Sequence, residues 1–166
     1  HGLMEVADTG ILFLDEISSM PLDMQPKLLR AIEEQTFRRV GGTSELKVDV
    51  QIIAASNRDL PAMVRENNFR SDLYYRLRVV DLHLPPLRER KDDIPDLVGF
   101  FIRQNNGRMG KNITGVSSHA LHALVEHTWP GNVRELRNAI ERAMLFCDEA
   151  EIDLNHLPHE FQSLRK

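Results

Sequence analysis

An α/β layer with parallel strands, followed by a purely helical part, is the fold class that the 166-residue sequence predicts. Three observations carry that expectation. Short apolar runs closed by polar residues alternate with helix-like segments over the first half, in the order strand, helix, strand, helix, strand expected of a parallel sheet. From Asp92 onward the apolar residues recur three and four apart, which is helical spacing. A composition shift near Leu87 to Asp93 separates the two patterns and divides the chain into residues 1–87 and 88–166.

The first strand is predicted within "GILFLDEIS", Gly10 to Ser18, whose unbroken apolar run suits a strand covered on both faces. Carboxylates are too costly to bury unpaired, so Asp15 and Glu16 should emerge where that strand ends. Ligands of open parallel sheets collect at the carboxyl ends of strands, which makes the two acids candidates for a metal and a water. The same pair also suits the start of a helix after a strand, where acids meet the positive end of the helix dipole. In "SSMPLDMQPKLLRAIEEQ", Leu28, Leu29 and Ile32 keep helical spacing, with Asp23 as the predicted cap and Pro26 in the first turn. Pieces around Phe37 to Val40 and Leu46 to Asp49 flank Gly41-Gly42 and read as a hairpin. "QIIAAS" is a second apolar strand, closed by Ser56, Asn57, Arg58 and Asp59. "LPAMVRENN" and "SDLYYRL" are short helices, and "VVDLHL" is a third strand stopped by Pro85 and Pro86. The helical part comprises "DDIPDLVGFFIRQN", "SSHALHALVEH" and "NVRELRNAIERAMLF".

A formal charge of −4 provides no global attraction to nucleic acid. The single cysteine, Cys147, permits no internal disulfide, and no apolar run reaches the length of a membrane span. A reduced cytoplasmic setting with no membrane partner is the expectation, and His1 in first place hints at a piece of a longer protein. His119 and His122, and separately His156 and His159, are spaced to hold a metal, yet no cysteine or acid completes either set. Arg88 to Arg90, "RER", reads as a polar linker. The helix pair around "WPGN" mimics a DNA-reading motif, but Arg134, Glu135, Arg137, Glu141 and Arg142 make a charge-balanced face rather than a phosphate-seeking one.

Taken in order, "ILFLDEI", "FRRVGGT", "IIAASNRDL", "FRSDLYYRL", "LPPLRERKDDIP" and "WPGNVRELRN" closely resemble the central AAA+ ATPase domain of bacterial sigma-54-dependent transcriptional activators, from about Gly2 to about Leu157. The resemblance implies a partial P-loop NTPase α/β subdomain followed by a small helical lid, and ATP with Mg²⁺ as the ligands of the intact domain. It makes Asp15-Glu16 the Walker B pair, Asp15 for the metal's water shell and Glu16 for the attacking water. This division suits phosphoryl transfer, which is chiefly positioning and charge neutralisation. Asn57, with Ser56 beside it, matches sensor I. Arg70 and Arg76 match the arginines that reach into a neighbouring subunit's site, although residues six apart do not sit side by side on an ideal helix. Read without the resemblance they are solvated surface charges. Arg134 matches sensor II, where a lid residue contacts nucleotide, and would otherwise pair with Glu135.

The partners implied are the sigma-54 RNA polymerase holoenzyme and further copies of the same chain in a hexamer or heptamer ring. DNA would be reached only through a domain outside these residues. Neither G-x-x-x-x-G-K-[S/T] nor a GAFTGA loop occurs in the chain. Gly110-Lys111 in "NGRMGKN" follows a helix and has Asn105 and Asn112 where a glycine and a hydroxyl belong. In the family's sheet the phosphate-loop strand separates the sensor I strand from the strand after the arginines, so "QIIAAS" and "VVDLHL" are expected to lack that shared neighbour. Two readings follow: part of an ATPase domain, inactive in isolation, or a non-enzymatic module that docks on intact AAA+ subunits. A superfamily 2 helicase fits less well, because no "SAT"-like motif follows the acids.

Overall fold

The structure, a computed structural model, describes residues 2–38, 42 and 44–162 and falls into two units, His1–Leu82 and His83–Lys166. In the first unit a one-turn helix α1 (Leu3–Val6) precedes strand β1 (Ile11–Leu14) and helix α2 (Gln25–Glu34). Strands β2 (Thr36–Arg38), β3 (Glu45–Lys47) and β4 (Gln51–Ala54) follow, then helices α3 (Leu60–Arg65) and α4 (Ser71–Leu77). β1 and β4 run parallel, with Ile11 opposite Gln51 and Leu14 opposite Ala54, as the alternation of strands and helices predicts. β2 and β3 pair antiparallel, Phe37 opposite Leu46. The predicted hairpin is thus present, but Arg39, Val40, Gly41 and Thr43 at its tip lie outside the described residues.

Three local expectations are corrected. β1 is not covered on both faces: Ile11 and Phe13 are 60% and 58% exposed, because among the described residues this sheet has two strands and its outer face packs against nothing. Asp23 does not cap α2; Met24 holds the cap position without a side-chain bond, and Pro26 sits in the first turn where a missing N–H costs no hydrogen bond. "VVDLHL" forms no strand. A strand needs a partner for its N–H and C=O groups, and Val79, Val80, Leu82 and Leu84 lie exposed instead.

α2, α3 and α4 enclose the core of the first unit. Ile17, Met63, Phe69, Leu73 and Tyr74 are buried there, with Leu28, Leu29 and Ile32 of α2 packed against them. Asp59 caps α3 by accepting from the Ala62 N–H at 3.1 Å, and Pro61 stands in that helix's first turn.

The second unit contains α5 (Ile94–Met109), β5 (Gly115–Val116), α6 (Ser118–Glu126), α7 (Asn132–Phe146), β6 (Glu151–Ile152) and α8 (His159–Gln162). It is not purely helical: β5 and β6 form a two-residue parallel pair, too short to show a period in sequence. Ser117 caps α6 through the Ala120 N–H, and its hydroxyl donates to Asp153 at 2.5 Å, which ties α6 to the segment after β6. α5 ends at Gly110, whose φ of 65° is the left-handed stop that glycine adopts without penalty. Lys111 then turns away and donates to the carbonyls of Leu145 and Cys147 at the end of α7, so Gly110-Lys111 is a helix terminus and a clamp. Trp129 is fully buried and its indole N–H donates to the Leu124 carbonyl at 2.8 Å. His127 stacks beside Trp129 and Phe161, a packing role, while His119 and His122 face solvent.

Trp129 is the chain's one tryptophan, so its fluorescence reports on this core. Ile140→Ala, at a fully buried position of α7, is expected to lower the unit's unfolding free energy by about 2–5 kcal/mol in urea. Leu145→Ser, at an exposed position, should change it by about 0.5 kcal/mol or less.

Candidate functional site

The ladder between β1 and β4 is interrupted where the acids stand. The Ala55 N–H donates to the Leu14 carbonyl at 2.8 Å, and a regular parallel ladder would next have Glu16 donate to the Ala55 carbonyl. Ile17 makes that bond instead, at 2.9 Å, leaving one residue too many on the β1 side. The surplus is accommodated as a bulge: Glu16 adopts φ 50°, and its unpaired N–H donates to the Asp15 carboxylate at 2.9 Å. A left-handed glutamate costs on the order of 1–3 kcal/mol, which the ladder bonds on either side of it and the burial of Ile17 offset. Both carboxylates therefore leave the sheet at its carboxyl end and remain exposed to solvent.

On the neighbouring strand the chain turns at Ser56, whose hydroxyl donates to the Arg58 carbonyl and accepts the Arg58 N–H. That closed turn presents Asn57. The buried Ser18, two residues past Glu16, donates its hydroxyl to the Asn57 side-chain oxygen at 3.3 Å. Asp15, Glu16, Ser56 and Asn57 thus stand on two adjacent strand ends, cross-linked by Ser18, a residue that no sequence signal singles out.

Hard oxygen donors of this kind suit Mg²⁺, which takes one or two carboxylates and keeps its other positions for water and phosphate. Among the described residues no three His, Cys, Asp or Glu side chains cluster as a closed metal cage would require. For nucleotide phosphates the chain itself lacks the glycine-rich cradle.

Arg70 and Arg76 are brought onto one helix but not to one point. Arg70 occupies the N-cap of α4 and forks onto Asp72, Nε to Oδ1 at 3.0 Å and NH2 to Oδ2 at 2.6 Å. Arg76, in the last turn, is exposed and has no hydrogen-bond or ion-pair partner among the described residues. The Arg70 guanidinium holds the Asp72 carboxyl below its ordinary value, through the side-chain hydrogen bond first, with the Leu73 N–H helping. The N-cap position itself is fixed by Gln25, a fully buried side chain whose Oε1 accepts the Arg70 N–H at 2.8 Å. Gln25 shares the inward face of α2 with Leu28, Leu29 and Ile32, and a polar residue in register with an apolar stripe is the sequence signal that marks it.

Arg134 is in the second unit and is described within it. It projects from the first turn of α7 into an open cleft of about 380 Å³, lined also by Gly131, Asn138, Arg142 and Phe161. It does not pair with Glu135, whose carboxylate accepts the Gly131 N–H at 2.7 Å. A Cβ on Gly131 would stand 2.9 Å from the Glu135 Cβ, closer than side chains tolerate.

Residues 1–83 match the family described as "Sigma-54 interaction domain", and residues 88–166 match "AAA+ ATPase lid domain". The chain is 54% identical over 144 residues to the formate hydrogenlyase transcriptional activator FhlA of Escherichia coli, covering 87% of this chain and 21% of that protein. It is 49% identical to the alginate biosynthesis transcriptional regulatory protein AlgB of Pseudomonas aeruginosa, covering 94% of this chain and 35% of that protein. The crystal structure of NtrX from Brucella abortus in complex with ATP superposes with a TM-score of 0.92 at 41% identity, over 99% of this chain and 38% of that one. The chain thus spans roughly a fifth to two fifths of the length of these relatives.

Two outcomes test the local geometry. With its pKa depressed, the Asp72 carboxylate holds Arg70 at neutral pH, and that contribution is lost as pH falls through the lowered value. Carbon-detected NMR should show Asp72 titrating below ordinary aspartates and moving upward in Arg70→Ala; an unmoved titration would count against the pair. Gly131→Ala should destabilise the second unit by about 1–3 kcal/mol in urea unfolding, since the first turn of α7 has to shift.

Proposed function

Because the chain belongs to the sigma-54 interaction domain family and continues into an AAA+ ATPase lid, we propose that it forms the acid, arginine and lid portions of an ATPase that remodels the sigma-54 RNA polymerase closed complex. The observation that carries the proposal is the bulge that presents Asp15 and Glu16 beside Asn57 at the carboxyl ends of β1 and β4. Asp15 would hold the water shell of Mg²⁺, and Glu16 would accept the proton of the water that attacks the γ-phosphate. Bound there, the metal supplies neutralisation of phosphate charge. Asn57, its Oδ1 held by Ser18 and next to Ser56, would offer its amide N–H to the γ-phosphate.

Arg76, exposed and without a side-chain partner among the described residues, is the arginine that would enter the site of an adjoining subunit. Arg70, held on Asp72, would have to exchange that carboxylate for phosphate. Arginines supplied in trans accelerate phosphoryl transfer by about 10³ to 10⁵ in well-characterised cases. Arg134 would contact nucleotide from the lid. An arginine supplied in trans calls for neighbouring copies of the chain, and the family resemblance adds a ring of six or seven subunits, a cytoplasmic setting and DNA reached through a separate domain. The chain has no helix long and apolar enough to cross a membrane among its described residues.

Without the phosphate loop the isolated chain should hydrolyse no ATP above background in a phosphate-release assay. Turnover that survives purification and disappears in Glu16→Gln would overturn that expectation. The exposure of Arg76, which has no side-chain partner among the described residues, also favours a docking module. Excess chain added to an intact relative such as NtrX should then change the relative's ATPase rate, and the Arg76→Ala chain should not. No change at high excess would refute docking.

A further inference from the structure

We propose that Gln25 is a positioning residue that couples the turn after Asp15-Glu16 to the helix that carries Arg70 and Arg76. Its side-chain amide is fully buried and used at both ends. Nε2 donates to the Met20 carbonyl at 3.1 Å, and Oε1 accepts the Arg70 N–H at 2.8 Å. Met20 closes the 3-10 turn Ile17–Ser19, the turn that follows the two acids. The first residue of that turn, Ile17, is tied to β4 through the Ala55 carbonyl, and the next, Ser18, is tied to Asn57. Arg70 is the N-cap of α4. A continuous line of hydrogen bonds therefore runs from the strand ends, through Met20 and Gln25, to the start of the arginine helix.

The chemistry of the side chain makes the link specific. A primary amide offers a donor and an acceptor on one carbon, and here each meets a backbone group that has no other hydrogen-bond partner among the described residues. Leucine fills the volume and removes the partner of both the Met20 carbonyl and the Arg70 N–H. Glutamate keeps the acceptor for Arg70 but confronts Met20 with a second acceptor, unless the carboxyl is protonated. Ile17 also packs in the same core as Phe69, Leu73 and Tyr74. The amide is the hydrogen-bonded link that ties the acid turn to the N-cap of α4, so a displacement such as the loss of the left-handed constraint at Glu16 reaches the start of that helix through it. The coupling in itself needs nothing beyond these contacts. Its meaning, that occupancy at the acids sets how a subunit offers its arginines to the next, rests on the proposed function.

The experiment is amide NMR on the chain in a double-mutant cycle. Glu16→Gly should shift the signals of Arg70 through Arg76 when residue 25 is Gln, and by about fivefold less in Gln25→Leu. In Gln25→Glu the coupling should be weak at neutral pH and return on acidification as the carboxyl regains a proton, while the Gln25 chain at the same two pH values keeps it. Should Gln25→Leu fail to fold, the Gln25→Glu comparison at two pH values decides alone. Equal shifts in Gln25→Leu, pH-independent shifts in Gln25→Glu, or no shift of α4 in the Gln25 chain would each overturn the proposal. In the mixing assay with an intact relative, Gln25→Leu should abolish the chain's effect as Arg76→Ala does. A null effect of the Gln25 chain there would refute the docking function and leave the NMR result standing.

Discussion

The placement of the acid pair in the first unit depends on one parallel pairing, β1 against β4, and on the single residue by which the two strands fail to match. Had the ladder continued in register, the Glu16 N–H would be spent on the Ala55 carbonyl and its side chain fixed by the alternation of the strand. The bulge instead passes that bond to Ile17, buries Ile17 in the core and releases two adjacent carboxylates together. Adjacent residues of a strand point to opposite faces, so delivering both acids to one site requires such a break. The left-handed Glu16 stores a modest strain that the bonds on either side of it hold in place.

The arginines are governed by the opposite economy. Exposed ion pairs contribute about 0–1 kcal/mol, so the fork between Arg70 and Asp72 orients the guanidinium more than it stabilises the fold. Among the described residues Arg76 is not engaged even to that extent. Under the proposed function such a cation, at the end of a seven-residue helix, would act on a partner chain, and the helix would have to be aimed for that purpose. The aiming is done by buried groups: Phe69 and Leu73 in the core, and the Gln25 amide on the Arg70 N–H. The lid follows the same division, with Leu136, Ala139, Ile140, Ala143 and Met144 of α7 buried and Arg134 on the outward side.

Much of this was legible in the sequence, and the parts that were not have physical reasons. The helices α2, α5, α6 and α7 follow from apolar spacing, because each buries one face. The parallel pairing follows from alternation, and the emergence of Asp15, Glu16, Ser56 and Asn57 at two strand ends follows from the polar residues that close two apolar runs. The exposure of Ile11 and Phe13 was not legible, since an apolar run looks the same whether or not its faces are covered. "VVDLHL" has every property of a strand except a partner, and pairing is a tertiary property. The parallel pair β5 and β6 is two residues long and has no period to read. Ser18 is an ordinary residue whose role arises from a group 39 positions away, and Gln25, although its place in the apolar stripe of α2 marks it, gives no sign in sequence of the partner it reaches 45 positions away.

The account is tested most directly by a graft. Residues 2–157 would replace the matching segment of FhlA from Escherichia coli, and ATP hydrolysis would be measured together with transcription from a sigma-54 promoter. The chimera should hydrolyse ATP and activate transcription, and Glu16→Gln within the graft should lower the hydrolysis rate by about 10² to 10⁴ with nucleotide still bound. A folded chimera that binds ATP but hydrolyses it equally well with Gln at position 16, or not at all with Glu, would contradict the assignment of the acid pair.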